Sequence, residues 1–90
     1  MLEVIYTARF KKASKKLSQA DKNLVKDVAY KIARGEKLPE KNRDHALSGN
    51  WRGYRECHVK NDLLLLYRIE KEELILVLVN VGKHSVAFKK

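Results

Sequence analysis

The three histidines of this 90-residue chain, His45, His58 and His84, fall in two short stretches, one of which also holds Asp62. Imidazole is the side chain whose ordinary pKa lets it both accept and donate a proton near neutral pH. RNA cleavage needs a base to deprotonate the 2′-OH, a cation to stabilise the charged phosphorane and an acid to protonate the departing 5′-oxygen. These residue types therefore predict proton-transfer chemistry on a polyanion.

Two of these residues flank a predicted hairpin turn. Residues 59–61 are predicted to form a three-residue loop, because asparagine tolerates the left-handed backbone that such loops often need. His58 and Asp62 would then face each other across the ladder, with Cβ atoms roughly 5 Å apart. At that distance the carboxylate orients the imidazole or raises its pKa. The alternative is a structural pair that only stabilises the hairpin.

Two arginines beside the first histidine cluster are candidates for binding RNA. Arg52 and Arg55 could each hold a phosphate with two hydrogen bonds. The alternative for Arg55 is an ion pair with Glu56 or Asp44. Both interpretations of Arg55 stay open at the level of sequence.

Aromatic residues near the histidines have two interpretations each. Trp51 and Tyr54 could offer a face on which a base stacks. A tryptophan in a long loop is more often the anchor of a small separate hydrophobic cluster, and that interpretation is favoured for Trp51. Phe88 could stack on a base or fill the core.

The charge of the chain predicts a polyanionic partner. Twenty Lys and Arg residues against eleven Asp and Glu give a net charge of +9 and a pI of about 9.8. Nucleic acid is the default partner of such a chain. The alternative is a plain solvated surface, since lysines bind phosphate without reading sequence. Much of the charge lies in the first predicted helix, with Lys11, Lys12, Lys15 and Lys16 as the candidate RNA-binding residues.

Length and cysteine content limit the class of protein. Ninety residues predict one domain, 1–90, with a single core. The lone Cys57 is predicted to be a small buried hydrophobe, and one cysteine fits a reducing cytoplasm. The sequence predicts no signal peptide and no membrane span, since the longest apolar run, 74–79, is far short of the roughly 20 residues needed.

The elements that must position these residues follow from hydrophobic spacing. A first strand is predicted over 2–6, with Thr7 as N-cap of a helix whose apolar stripe is Phe10, Ala13 and Leu17. A new cap at 18–21 starts a second helix, which runs to residue 34 and stops at Gly35.

Three strands are predicted in the second half of the chain, over 54–59, 63–69 and 74–81. The last is apolar on both faces, which is typical of a central, covered strand. We therefore expect an α+β fold: a small antiparallel sheet, with the last strand interior and the N-terminal helix hairpin packed on one face. The predicted element order is β-α-α-β-β-β.

The motif Asp-His-x-Leu-x-Gly-x-Trp-x-Gly-Tyr-Arg-Glu-x-His-x-x-x-Asp, from Asp44 to Asp62, precedes a Gly-x-His-x-x-x-Phe motif from Gly82 to Phe88. Over nearly the whole chain, this arrangement resembles the YafQ branch of the RelE superfamily of bacterial toxins. The resemblance implies a type II toxin: an endoribonuclease that cuts mRNA in the ribosomal A site, needs no metal or other cofactor, and is silenced by a cognate antitoxin. The toxin alone is expected to be monomeric.

The resemblance also assigns roles to residues. It implies that His45, His58, Asp62 and His84 are catalytic and that Phe88 is the C-terminal aromatic residue of the site. His45 or His84 would carry protons, His58 would couple to Asp62, and the basic face of the first helix would bind ribosomal RNA.

Two positions depart from the pattern of the relatives. Asn80 stands where relatives usually carry an arginine thought to contact the scissile phosphate, and Asn61 stands where they tend to have proline. The missing charge could come from Lys83 or Arg55. Without such a charge, cleavage would be weaker.

Three other interpretations remain open. A non-catalytic RNA-binding or ribosome-binding module is supported by Asn80. A metal site could use imidazole and carboxylate ligands, but the spacing matches no compact zinc motif and Cys57 should point away from His58. The third interpretation is a basic globular domain whose histidines have no functional role. The metal site would take His45, His58, His84 and Asp62.

Overall fold

Two α-helices and five β-strands make up residues 1–83, the part of the chain that the structure, a computed structural model, describes. Two predicted site residues, His84 and Phe88, lie outside the described residues. No helix within residues 1–83 has the length and apolar content needed to cross a membrane. The elements are β1 (Glu3–Tyr6), α1 (Ala8–Ser14), α2 (Gln19–Ala33), β2 (His45–Ala46), β3 (Arg55–Lys60), β4 (Leu63–Glu70) and β5 (Ile75–Gly82), with short 3₁₀ turns at Glu40–Asn42 and Gly49–Trp51.

The strands form one sheet in the order β1-β5-β4-β3-β2, with the two helices on one face. The α+β fold class and the interior position of β5 are confirmed. Two details differ: the short strand β2 was not predicted, and β1 pairs with β5 in parallel, so the sheet is mixed rather than wholly antiparallel. Local turns fix the direction of β3, β4 and β5, whereas β1 reaches its partner after about 70 residues and no turn in the sequence specifies its direction.

Both predicted helix starts are confirmed by their caps. The Thr7 hydroxyl accepts the Phe10 N–H at 3.1 Å, and it lies 3.0 and 2.9 Å from the carbonyl oxygens of Leu78 and Val79 in β5. The Ser18 hydroxyl accepts the Asp21 N–H at 3.1 Å. Thr7 therefore joins the start of α1 to the central strand, whereas Ser18 caps α2 locally.

The second helix also ends where the sequence predicts. Gly35 follows with φ of +80°, a left-handed conformation that glycine adopts without strain. The apolar stripes differ slightly from expectation. Leu17 lies beyond the end of α1 yet still packs on the core, and Leu24, which falls within the helical spacing, is 42% exposed.

The main core lies between the helices and the sheet. Cys57 is fully buried there, as predicted. Leu66 centres a smaller cluster on the opposite face, and Trp51 belongs to it, so its predicted role as a cluster anchor is confirmed. The main cluster includes Phe10, Val25, Val28, Ile32, Leu63, Leu65, Tyr67, Leu76 and Leu78, and the smaller one includes Leu47, Trp51, Tyr54 and Val79.

The hairpin between β3 and β4 differs from the prediction. His58 pairs with Leu64 and Lys60 pairs with Leu63, so the turn is Asn61-Asp62 and a bulge falls at Val59. The prediction that His58 and Asp62 face each other is therefore wrong. A three-residue loop would expose Val59, whereas the bulge keeps that apolar side chain buried.

The Thr7 cap should contribute more to stability than the Ser18 cap. Thr7→Val keeps the branched shape but removes the hydroxyl, so α1 loses its cap and its hydrogen bonding to β5. We expect a loss of about 2 kcal/mol in the free energy of unfolding, against about 1 kcal/mol or less for Ser18→Ala. Urea unfolding of both variants measures the difference. Equal losses would show that the hydrogen bonding of Thr7 to β5 adds nothing.

Candidate functional site

The candidate site lies on the helix-free face of the sheet, where β2 pairs with β3. Cys57 points into the helix-side core, so its neighbours Glu56 and His58 point to the other face. His45 lies directly opposite Glu56 in the β2–β3 ladder. The structure therefore brings His45 and His58, two of the predicted catalytic residues, to one face with a carboxylate between them.

His45 presents a half-exposed imidazole with a defined partner at each nitrogen. Its Nδ1 lies 2.7 Å from the carbonyl oxygen of Arg43, and its Nε2 lies 3.8 Å from Oε1 of Glu56. The side chain is 50% exposed. Solvent and a ligand can therefore reach this imidazole, while the hydrogen bond to the Arg43 carbonyl fixes its orientation.

Glu56 is the functional candidate that sequence reasoning missed. Its side chain is only 6% exposed, and Oε2 has no hydrogen-bond partner within residues 1–83. A buried carboxylate is costly unless a charge or donor compensates it, and a proton taken up by His45 during a reaction would bring such a charge within 3.8 Å. The signal was present in the sequence, since Glu56 and His58 are two apart in a strand and must share a face.

His58 lies on the same face, held by the segment that precedes β2. Its Nδ1 is 3.2 Å from the guanidinium of Arg43 and 3.3 Å from the carbonyl oxygen of Asn61. Its own carbonyl accepts a 2.7 Å hydrogen bond from the buried side-chain amide of Asn42. The segment between α2 and β2 thus contributes directly to the site.

Asp62 lies in the exposed turn after β3 and has a different partner from the one predicted. Its carboxylate is 3.7 Å from the Nζ atom of Lys83, and both side chains are more than half exposed. The structure therefore brings together Asp62 and Lys83, both of which the sequence singled out. His58 and Asp62 flank this corner of the sheet without facing each other.

The Asp44 carboxylate forms a partly buried network with Arg55 and Tyr67 beside β2. Tyr67 donates to Asp44 at 2.5 Å and Arg55 donates to it at 3.2 Å. The hydrogen bond to Asp44 raises the pKa of Arg55, and burial together with Asp44 raises the pKa of Tyr67. Of the two interpretations of Arg55, the ion pair with Asp44 is the one observed. Nε and Nη2 of this guanidinium are engaged in the network, so a phosphate would have to bind at its remaining N–H groups.

The predicted RNA-binding lysines are exposed, as is Arg52. Lys16 and Lys83 line one groove of about 400 Å³ between the end of α1 and the end of β5. Asn80 lines the same groove, and its side-chain oxygen accepts the Val81 N–H at 2.9 Å. The basic face of the first helix is therefore continuous with the corner that holds Lys83. This basic face carries Lys11 and Lys12 of α1 together with Lys15 and Lys16 of the turn that follows it.

The geometry bears on two other kinds of chemistry. Within residues 1–83, no three side chains of His, Cys, Asp or Glu lie together as a metal-ligand group. His84, the remaining member of the hypothetical metal site, is outside that range.

Burial raises the pKa of Cys57 to about 12, so this thiol is not poised as a nucleophile.

Comparison with known proteins identifies the family. The profile of the bacterial toxin of type II toxin-antitoxin systems, YafQ, matches residues 2–89. The chain belongs to the YafQ toxin family. The mRNA interferase toxin YafQ of Escherichia coli K12 is 37% identical over 51 residues, which cover 57% of this chain and 53% of that protein. The matched segment thus spans about half the length of that relative.

Solved structures share the whole fold. A copper-bound mutant toxin from Helicobacter pylori has a TM-score of 0.87 and 33% identity, covering 98% of this chain and 100% of that one. YafQ in the E. coli DinJ-YafQ toxin-antitoxin complex has a TM-score of 0.79 and 27% identity, with 98% of each chain covered. The predicted YafQ family and RelE-like fold are therefore confirmed.

The buried thiol on β3 should make stability fall in alkali. The pKa of Cys57 rises from 9.0 to about 12 on folding, so between these values the folded state retains a proton that the unfolded state has lost. Stability therefore decreases as pH rises through this window, by up to about 1.4 kcal/mol for each pH unit.

Cys57→Ala removes this contribution and leaves a small cavity whose cost does not depend on pH. The free energy of unfolding, followed by urea titration across the window, should fall less steeply in the variant than in the wild type. Identical slopes would contradict the raised pKa of the thiol.

Proposed function

We propose that this YafQ-family toxin is an endoribonuclease that cleaves mRNA in the ribosomal A site and thereby inhibits translation. The observation that carries the proposal is the pair of imidazoles, His45 and His58, on one accessible face beside the buried carboxylate of Glu56. That arrangement supports acid-base chemistry at a phosphodiester. The name of the E. coli relative, an mRNA interferase, agrees with it.

The proposed reaction is attack of the 2′-OH on the adjacent phosphorus without a metal ion. A base removes the 2′-OH proton as the new P–O bond forms, and an acid protonates the 5′-oxygen as its bond to phosphorus breaks. We assign His45 and His84 as the proton carriers and keep His58 and Asp62 as catalytic candidates. Phe88 and Arg52 are proposed to contact the RNA, and Lys83 supplies positive charge beside the phosphate.

The metal-free mechanism is part of the proposal and calls for a test with a chelator, since the H. pylori toxin is copper-bound. A cognate antitoxin is the proposed protein partner, in line with the complex formed by the E. coli relative. We also propose that the free toxin is a monomer of the cytoplasm, where the unpaired Cys57 stays reduced.

The alternative function is a non-catalytic ribosome-binding module. Asn80 favours it, because its side chain bonds to its own strand and supplies no positive charge at the position where the family resemblance implies an arginine. The two functions differ in whether mRNA is cut, which a direct assay decides.

We expect the wild-type chain to cut mRNA on programmed ribosomes, and to leave free RNA intact, in the presence of EDTA added below the Mg²⁺ concentration, so that copper and zinc are chelated while the ribosome keeps its Mg²⁺. His45→Ala and His84→Ala should each lower the cleavage rate by about 100-fold or more, since each removes a proton carrier. Glu72→Gln, in the exposed β4–β5 turn, is the control that should cut normally. Ribosome binding by the wild type without any cut would favour the non-catalytic module, and loss of cutting in EDTA would refute the metal-free mechanism.

The basic face of α1 should dominate the salt dependence of RNA binding. We expect replacement of its four candidate lysines by glutamine to reduce the slope of log affinity against log salt by about 0.7 to 0.9 for each phosphate that the variant no longer binds. Fluorescence anisotropy with a labelled RNA oligonucleotide measures this slope. The variant changes Lys11, Lys12, Lys15 and Lys16.

A second quadruple variant with the same net charge is the matched control. It replaces four exposed lysines elsewhere on the chain and should keep most of the wild-type slope. An equal reduction in both variants would show that binding follows net charge and not this face. The control changes Lys26, Lys37, Lys41 and Lys71.

A further inference from the structure

Arg43 has an unusual backbone conformation between the 3₁₀ turn and β2. Its φ and ψ are both 45°, in the left-handed region that residues with a side chain rarely adopt. Its N–H donates to the Glu40 carbonyl at 2.9 Å, and the neighbouring Asn42 is buried against β3. These two contacts hold Arg43 in a conformation that is often found where a residue has a functional role.

This conformation brings the two ends of Arg43 to two different imidazoles. The main-chain carbonyl oxygen lies 2.7 Å from Nδ1 of His45, and the guanidinium lies 3.2 Å from Nδ1 of His58. A carbonyl oxygen only accepts hydrogen bonds, whereas a guanidinium only donates them. Arg43 therefore favours a protonated Nδ1 in one ring and an unprotonated Nδ1 in the other.

For His45, the Arg43 carbonyl favours the tautomer with a proton on Nδ1. The lone pair of the neutral ring is then on Nε2, which lies on the side of Glu56. When Nε2 takes a proton, the resulting imidazolium has the Arg43 carbonyl at one N–H and the Glu56 carboxylate 3.8 Å from the other nitrogen. The ring therefore has an acceptor on the side of each nitrogen once it has accepted a proton.

For His58, two neighbours compete for Nδ1. The Asn61 carbonyl at 3.3 Å favours a proton there, and the Arg43 guanidinium at 3.2 Å favours a lone pair. Hydrogen bonds from a charged donor are the stronger kind, so the lone pair prevails and the ring proton sits on Nε2. A second proton on His58 would place two cations side by side.

We infer that Arg43 is a positioning residue that gives His45 and His58 opposite tautomers. In the neutral ring of His45, Nε2 then carries the lone pair that accepts the 2′-OH proton, while in the neutral ring of His58 Nε2 offers an N–H. The inference deepens the proposed function by assigning the base, and for that role it rests on the proposed function. The tautomers themselves belong to the free protein and can be measured without RNA.

Long-range ¹H–¹⁵N correlation spectra of the labelled protein test the inference, with rings assigned from His45→Gln and His58→Gln. In the wild type, Nδ1 of His45 should carry the shift of a protonated nitrogen and Nδ1 of His58 that of an unprotonated one. Arg43→Met keeps the carbonyl and the unbranched stem but removes the guanidinium. It should move the proton of His58 to Nδ1, towards Asn61, and leave His45 unchanged.

Two further variants separate charge from structure. Arg43→Lys restores a charged donor and should return His58 towards the wild-type tautomer. Arg34→Met removes an exposed arginine paired with Glu36 and should leave both rings as they are. In the ribosome assay, Arg43→Met should lower kcat by roughly 10-fold with little change in KM, since the shifted tautomer of His58 no longer offers an N–H from Nε2 to the reacting phosphate, while His45 and the RNA-binding residues are unchanged.

A protonated Nδ1 on His58 in the wild type would overturn the inference, and this outcome does not depend on any Arg43 variant folding. Unchanged tautomers in a folded Arg43→Met protein would overturn it as well. If the tautomers follow the prediction but the wild type does not cut RNA, the role of Arg43 stands and the proposed function fails. If the wild type cuts RNA with both rings in the same tautomer, only the role of Arg43 fails.

Discussion

The attachment of residues 42–45 to β3 is the constraint on which the candidate site depends. Strand β2 has only two residues, too few for its ladder alone to fix the orientation of a side chain. Side chains provide the rest, because the Asn42 amide bonds to the His58 carbonyl and Asp44 bonds to Arg55 and Tyr67. His45 is therefore placed by interactions made on both sides of it.

The buried Glu56 explains why this placement has chemical consequences. A carboxylate with one oxygen unpartnered within the described residues destabilises the fold unless positive charge is nearby. Its neighbour across the ladder is His45, whose protonation would compensate that charge. The same residue on a solvent-exposed strand would have its charge screened by water and would influence the imidazole much less.

Local features of the fold were readable from the sequence, and the contacts of the site were not. Thr7, Ser18 and Gly35 mark helix ends through rules that involve only a few neighbouring residues. The pairing of His58 depends instead on a bulge that keeps Val59 buried, and the parallel direction of β1 depends on a partner far along the chain.

The contacts of Arg43 were unpredictable for a related reason. A left-handed arginine has no sequence signature, and its two imidazole partners lie 2 and 15 residues away. The motif identified which residue types gather at the site, but the tertiary contacts determine which of them bond to one another. Asp62 is the clearest case, because its spacing suggested His58 while its actual partner is Lys83.

That change of partner bears on where the positive charge for a phosphate comes from in a chain with Asn80. Arg55 is held by Asp44 and Tyr67, and Arg43 is held by His58, so using either for phosphate would break contacts that organise the site. Within residues 1–83, Lys83 forms one exposed 3.7 Å pair, with Asp62, and such surface pairs contribute little to stability. For the phosphate that the proposed function requires, Lys83 is therefore the cation of these three whose present contact costs least to break.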